Sequence, residues 1–167
     1  MAAKQKTLNG LFEETLKDIY YAENKILKAL PKMAKAAQSE ELKEAFEKHL
    51  KETEEQVERL KKVFELIDAA PKGKKCEAIE GIIEEGADIM KEFKGAPALD
   101  AGLVCAAQAV EHYEIARYGT LKRWAEMMGL SEAIELLDET LSEEKNTDQA
   151  LTELADSMVN EEAQAAE

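Results

Sequence analysis

Residues 42–67 read LKEAFEKHLKETEEQVERLKKVFELI. Leu42, Ala45, His49, Glu52, Gln56, Leu60, Val63 and Ile67 recur at spacings of three and four, the repeat of one face of an α-helix. Apolar residues hold both ends of that stripe. His49, Glu52 and Gln56 interrupt it in the middle. A carboxylate removed from water costs several kcal/mol unless it is paired, protonated or bound to a metal, so a polar block on an inward stripe needs a partner.

The neighbouring segments repeat the pattern. A first helix over residues 7–37 carries Leu8, Phe12, Leu16, Ile19, Glu23, Ile26, Leu30 and Met33, with Glu23 the one charge in the series and Pro31 predicting a kink or restart. Ser39, before Glu40, Glu41 and Leu42, is placed to cap the second helix, which Ala-Pro-Lys-Gly stops after Ala69. A third long helix over 98–128 has the series Leu99, Leu103, Ala107, Val110 or Glu111, Glu114, Tyr118, Leu121, Ala125 and Met128. Gly129 closes it and Ser131 is expected to cap a fourth, with Ile134, Leu137, Leu141, Glu144, Asp148, Leu151, Ala155 and Met158 inward. Beyond Asn160 the tail EEAQAAE has no apolar anchor, and fraying is expected there.

A shorter helix over 76–93 stands between the second and third long ones. About 18 helical residues span roughly 27 Å, enough to carry the chain from one end of a bundle to the other. The second and third long helices then run parallel. The expected fold is all-α, a ferritin-like four-helix bundle with an additional short helix in the crossover, as a single domain over 1–167. Scarce aromatics, three prolines and eight glycines agree with long helices rather than sheets.

Each long helix therefore places an acid near mid-length on its inward stripe: Glu23, Glu52, Glu111 with Glu114, and Glu144. Ser39-Glu40 and Ser131-Glu132 stand in an internal repeat that carries Glu52 onto Glu144 and Gln56 onto Asp148. Most glutamates in a chain with 35% charged residues are solvated. One per helix at a common height is a different matter. Hard oxygen donors that neutralise several positive charges suit a pair of iron or manganese ions about 3.5 to 4 Å apart. Glu52 and Glu144 are expected to bridge, Glu23 and one or both of Glu111 and Glu114 to be terminal ligands, and Asp148 or water to complete the second ion. His49, one turn before Glu52, points to the same side and joins the candidate ligands. His112 points about 100° away from Glu111 around the helix, which suits a supporting or interface role.

The formal net charge of -14 opposes binding to nucleic acid or anionic membrane. No apolar run is long enough to span a bilayer and the start lacks a secretory h-region, so a cytoplasmic protein is expected. Cys76 and Cys105 are expected to be unpaired thiols. Phosphate-binding glycine loops, a Gly-x-Ser-x-Gly elbow and Cys-x-x-Cys pairs are absent, against nucleotide, serine-hydrolase or dithiol chemistry.

Four blocks, YAENKILKALPKMAKAA (21–37), HLKETEEQVERL (49–60), AAQAVEHYEIARYGTL (106–121) and EEKNTDQALTELA (143–155), span nearly the whole chain in order. Together they resemble the YciF/YciE family of bacterial ferritin-like stress proteins. The resemblance implies a five-helix subunit, commonly a homodimer, with a dinuclear metal site. Against the usual di-iron pattern of Glu-x-x-His on two helices, His49-Leu-Lys-Glu52 has the reverse order and the fourth long helix has no histidine. Two readings follow. One is a redox metalloprotein whose ions meet dioxygen or peroxide, with ferroxidase or peroxide-scavenging chemistry under stress; the other is a non-catalytic dimeric scaffold with a vestigial site. Trp124, Met127 and Met128 form a candidate apolar contact patch for the dimer.

Overall fold

The computed structural model describes residues 6–166. Its long helices are α1 (Leu8–Ala36), α2 (Glu40–Leu66), α4 (Leu99–Met128) and α5 (Ser131–Leu154), and the short α3 (Glu77–Glu92) lies between α2 and α4. No strand occurs among the described residues. Helix α1 ends in a tight turn into α2, and α4 in a tight turn into α5, so each pair is a hairpin. Contacts between the hairpins set direction. Gln38 meets Asp100 and Glu23 meets Tyr118, so residue number falls along α1 as it rises along α4. Gln56 with Glu144, and Arg59 with Thr140, give the same antiparallel sense to α2 and α5. Helices α2 and α4 are consequently parallel, and α3 is the crossover that permits it. This is the ferritin-like bundle.

Local chemistry sets the boundaries. The Thr7 hydroxyl accepts from the Gly10 N–H at 3.2 Å and the Ser39 hydroxyl from the Leu42 N–H at 3.0 Å, capping α1 and α2. Helix α1 runs through Pro31 without a restart; Pro31 is exposed, where water can serve the carbonyl that its missing N–H leaves. The Ser131 cap is not formed. Gly129, in the left-handed conformation at φ 71°, and the bond from Leu130 N–H to the Ala125 carbonyl (3.0 Å) close α4, leaving only Leu130 before α5. Leu130 packs on the core, and the cap position carries no side-chain bond. At the far end, a π-helical turn (Ala155–Val159) buries Val159, and the chain stays helical through α6 (Asn160–Ala165), which buries none of its residues.

Helix α3 sits close on α4 because two glycines allow it. A Cβ on Gly102 would lie 2.7 Å from Ile89 Cγ2, and one on Gly86 would lie 3.4 Å from Ala106 Cβ. The core runs from Phe12, Leu16 and Ile19 at one end to Leu30, Met33 and Leu42 at the other. Both cysteines are free, Cys76 buried and Cys105 exposed.

Candidate metal centre

Midway along the bundle the apolar core gives way to acids. Glu23, Glu114 and Glu144 have no exposed surface, Glu111 1% and His49 2%. His49, Glu111, Glu114 and Glu144 each present a ligand atom, and these atoms lie within 4.8 Å of one another, a group that can hold a metal ion. Glu23 stands beside it. Its Oε1 accepts from the Tyr118 hydroxyl, while Oε2 is buried without a donor. From α2, Gln56 donates through Nε2 to Glu144 Oε1 and, at 3.0 Å, to Glu143 Oε2. His49 Nε2 lies 3.1 Å from Glu111 Oε1 and 3.9 Å from Glu144 Oε2, but neither ring nitrogen has the geometry of a hydrogen bond. Both oxygens of Glu114, and one each of Glu111 and Glu144, are also buried without a donor. Buried polar atoms are normally satisfied, so this set of unused lone pairs on one histidine and three carboxyls fits a bound cation.

The remaining candidates lie at the margin. Glu52 is 23% exposed at its side chain; Oε1 pairs with Lys48 at 3.0 Å and Oε2 is 4.0 Å from His49 Nδ1. The fully buried residue on that turn is Thr53, whose hydroxyl donates to the His49 carbonyl at 2.8 Å. Asp148, 24% exposed at its side chain, accepts from Gln108 Nε2 (3.1 Å) through Oδ1 and lies 3.2 Å from the ring of His112, which is 69% exposed. The repeat thus pairs a buried Glu144 with an edge Glu52, and a buried Gln56 with an edge Asp148. The two halves of the site are unequal.

A family model described as "Domain of unknown function (DUF892)" matches residues 7–164. The chain belongs to this family. It is 46% identical over 160 residues to Protein YciF of Escherichia coli (strain K12), covering 95% of this chain and 96% of that one. The crystal structure of the E. coli stress protein YciF superposes with a TM-score of 0.89 over 93% of this chain and 99% of that chain. YcfI of Rhodopseudomonas palustris, 43% identical, superposes at 0.87 over 91% and 97%. A Xanthomonas campestris protein, 22% identical, shares the fold at 0.71 over 92% of this chain and 94% of its own.

Electrostatics in this DUF892 protein follow from crowding acids out of water. Burial, then the charge of Glu144, raises the Glu23 carboxyl to about 8. Burial also raises Glu111 to about 8, with Glu23, Asp148 and Glu52 adding repulsion. Glu114 and Glu144 are pushed well above the usual carboxylate range by burial first and by neighbouring glutamates second. The same burial, with Glu23 and Glu114 nearby, holds the Tyr118 phenol protonated as a donor. Without a cation, these acids keep protons near neutral pH, and the protons can be shared within the carboxyl pairs Glu23–Glu114 and Glu111–Glu144. Sequence reasoning did not single out Arg59. It clamps α2 to α5, with Nη1 2.7 Å from Glu143 Oε2 and Nη2 2.8 Å from Glu139 Oε1, and thereby fixes the Glu143 that shares Gln56. A lone Arg in a lysine- and glutamate-rich helix gives no sequence signal of that role.

Proposed function

We propose that this protein binds iron or manganese through His49, Glu111, Glu114 and Glu144, with Glu23 beside them and Glu52 and Asp148 extending the site to a second ion. The observation that carries this reading is that His49, Glu111, Glu114 and Glu144 each bring one ligand atom within 4.8 Å of the others, and each has buried polar atoms without a hydrogen-bond partner. When bound, such ions supply one-electron redox chemistry toward dioxygen or peroxide, as a ferroxidase or peroxide scavenger. The protein's residues set the conditions. Tyr118 donates a hydrogen bond to Glu23 Oε1, Gln56 orients Glu144, and the surrounding leucines and isoleucines exclude bulk water. The name of the E. coli relative as a stress protein agrees with a protective role. A cytoplasmic homodimer, with Met127 (63% exposed) in its contact patch, belongs to the same reading.

Plasma mass spectrometry on protein reloaded anaerobically with Fe(II) or Mn(II) tests it. Two equivalents per chain are expected, with loss of at least one in Glu144→Gln and in Glu52→Gln at unchanged helix content. Absence of metal from the unaltered chain refutes it.

A second reading, a scaffold without chemistry, is favoured by the presence of one histidine in the buried cluster and by the R. palustris relative, which is described as having a proposed structural role. Under that reading, chelator leaves the melting temperature and the mass in solution unchanged.

A further inference from the structure

A cavity of about 240 Å³ is lined by residues of all five main helices, α1 to α5, with His49 and Glu111 among them. Ile26, Leu30, Phe46, Ile83 and Met90 make its walls apolar. Its room comes from small residues, Ala29, Gly86 and Ala106, where longer side chains would close it. Water gains little in such a space, because it needs two to four polar partners. The volume equals that of about eight waters at about 30 Å³ each, room for a medium-length alkyl chain in their place.

The rim has the opposite character to the rest of the molecule. In a chain of net charge -14, Lys25, Lys28 and Lys32 line one face of α1 at this opening. Lys25 is paired with Glu80 at 2.7 Å. Lys28 and Lys32 are exposed and have no ion-pair partner among the described residues. An apolar slot beneath two uncompensated lysines is complementary to an amphipathic anion.

We propose that this cavity binds a free medium-chain carboxylate, its chain against the apolar lining from α1 to α5 and its head at Lys28 and Lys32. The inference deepens the metal reading by naming the substrate class presented to His49 and Glu111. Only that last step rests on the metal; binding itself stands on the cavity and is measured apart from it.

Titration calorimetry of decanoate, below its micelle concentration, into the full chain is the test, with decanol and decyltrimethylammonium alongside. One decanoate per chain is expected, bound more tightly than either comparator. Binding should weaken with salt and by about tenfold in the double variant Lys28→Glu, Lys32→Glu. Ala29→Phe, which fills the slot, should abolish it. Both variants should keep the metal content of the unaltered chain; if Ala29→Phe fails to fold, the exposed lysine pair still decides. No decanoate binding, equal binding of all three probes, or a dimer mass that Ala29→Phe returns to one chain would overturn the proposal, the last by making a second copy the occupant. Decanoate binding by a chain that retains no metal would sustain it while the metal reading falls.

Discussion

Glu23 and Glu111 sit where charge is hardest to hold, and the consequence is a pH dependence opposite to that of surface carboxylates. Their pKa rises from about 4.5 unfolded to about 8 folded, so between those values the folded state binds more protons than the unfolded one. Stability of the metal-free protein is therefore full below pH 4.5 as far as these groups are concerned, falls as pH rises, and stays low above 8. The loss should be on the order of several kcal/mol, seen as a falling denaturant midpoint across pH 5, 6.5 and 8 in chelator. A midpoint that rises over that range would contradict the buried-acid account. Five of the central residues, Glu23, His49, Glu111, Glu114 and Glu144, were legible in the sequence because spacings of three and four pick out a helix face. The edge position of Glu52, beside a fully buried Thr53, was not. Adjacent residues differ by about 100° around the axis, and a stripe this wide accepts either until the neighbouring helices fix the rotation.

Among the elements, the turn between α1 and α2 depends on a residue more than sixty positions away. Asp100, 5% exposed at the start of α4, accepts the Gln38 N–H through Oδ1 at 2.8 Å and the Ser39 N–H through Oδ2 at 2.7 Å. Asp100→Ala would leave both donors without their partner, costing about 2 kcal/mol in a urea titration, whereas metal content should stay unchanged because the turn lies at the end of the bundle. Nothing in the sequence marks Asp100 as the anchor of a distant turn, since it follows Leu99 at a helix start, where an acid is ordinarily read as favouring its own helix. The crossover helix, by contrast, was legible from length alone. Its close seat on α4 was not, because Gly86 and Gly102 within helices are ambiguous until their neighbours Ala106 and Ile89 are known.

At the scale of the whole molecule, the proposed metal would compete with protons for one set of carboxyls, so loading the protein at pH 7 should release protons into weakly buffered solution and raise its stability together. With free metal at about 100 times the dissociation constant the gain is about 2.7 kcal/mol. Calorimetry in two buffers of different ionisation enthalpy checks the release; identical apparent heats would mean that no protons leave. The crossover topology has one more consequence. The loop after α2, which passes over α1 with Gly73 against Tyr21, divides the chain into a first hairpin holding Glu23 and His49 and a remainder holding Glu111, Glu114 and Glu144. Neither portion owns the centre. On the proposed metal reading, a chain severed in that loop would hold a cation only when the two fragments found each other, so a bound ion would report complete assembly, and a ribosome that has released only the first hairpin has made half a cage.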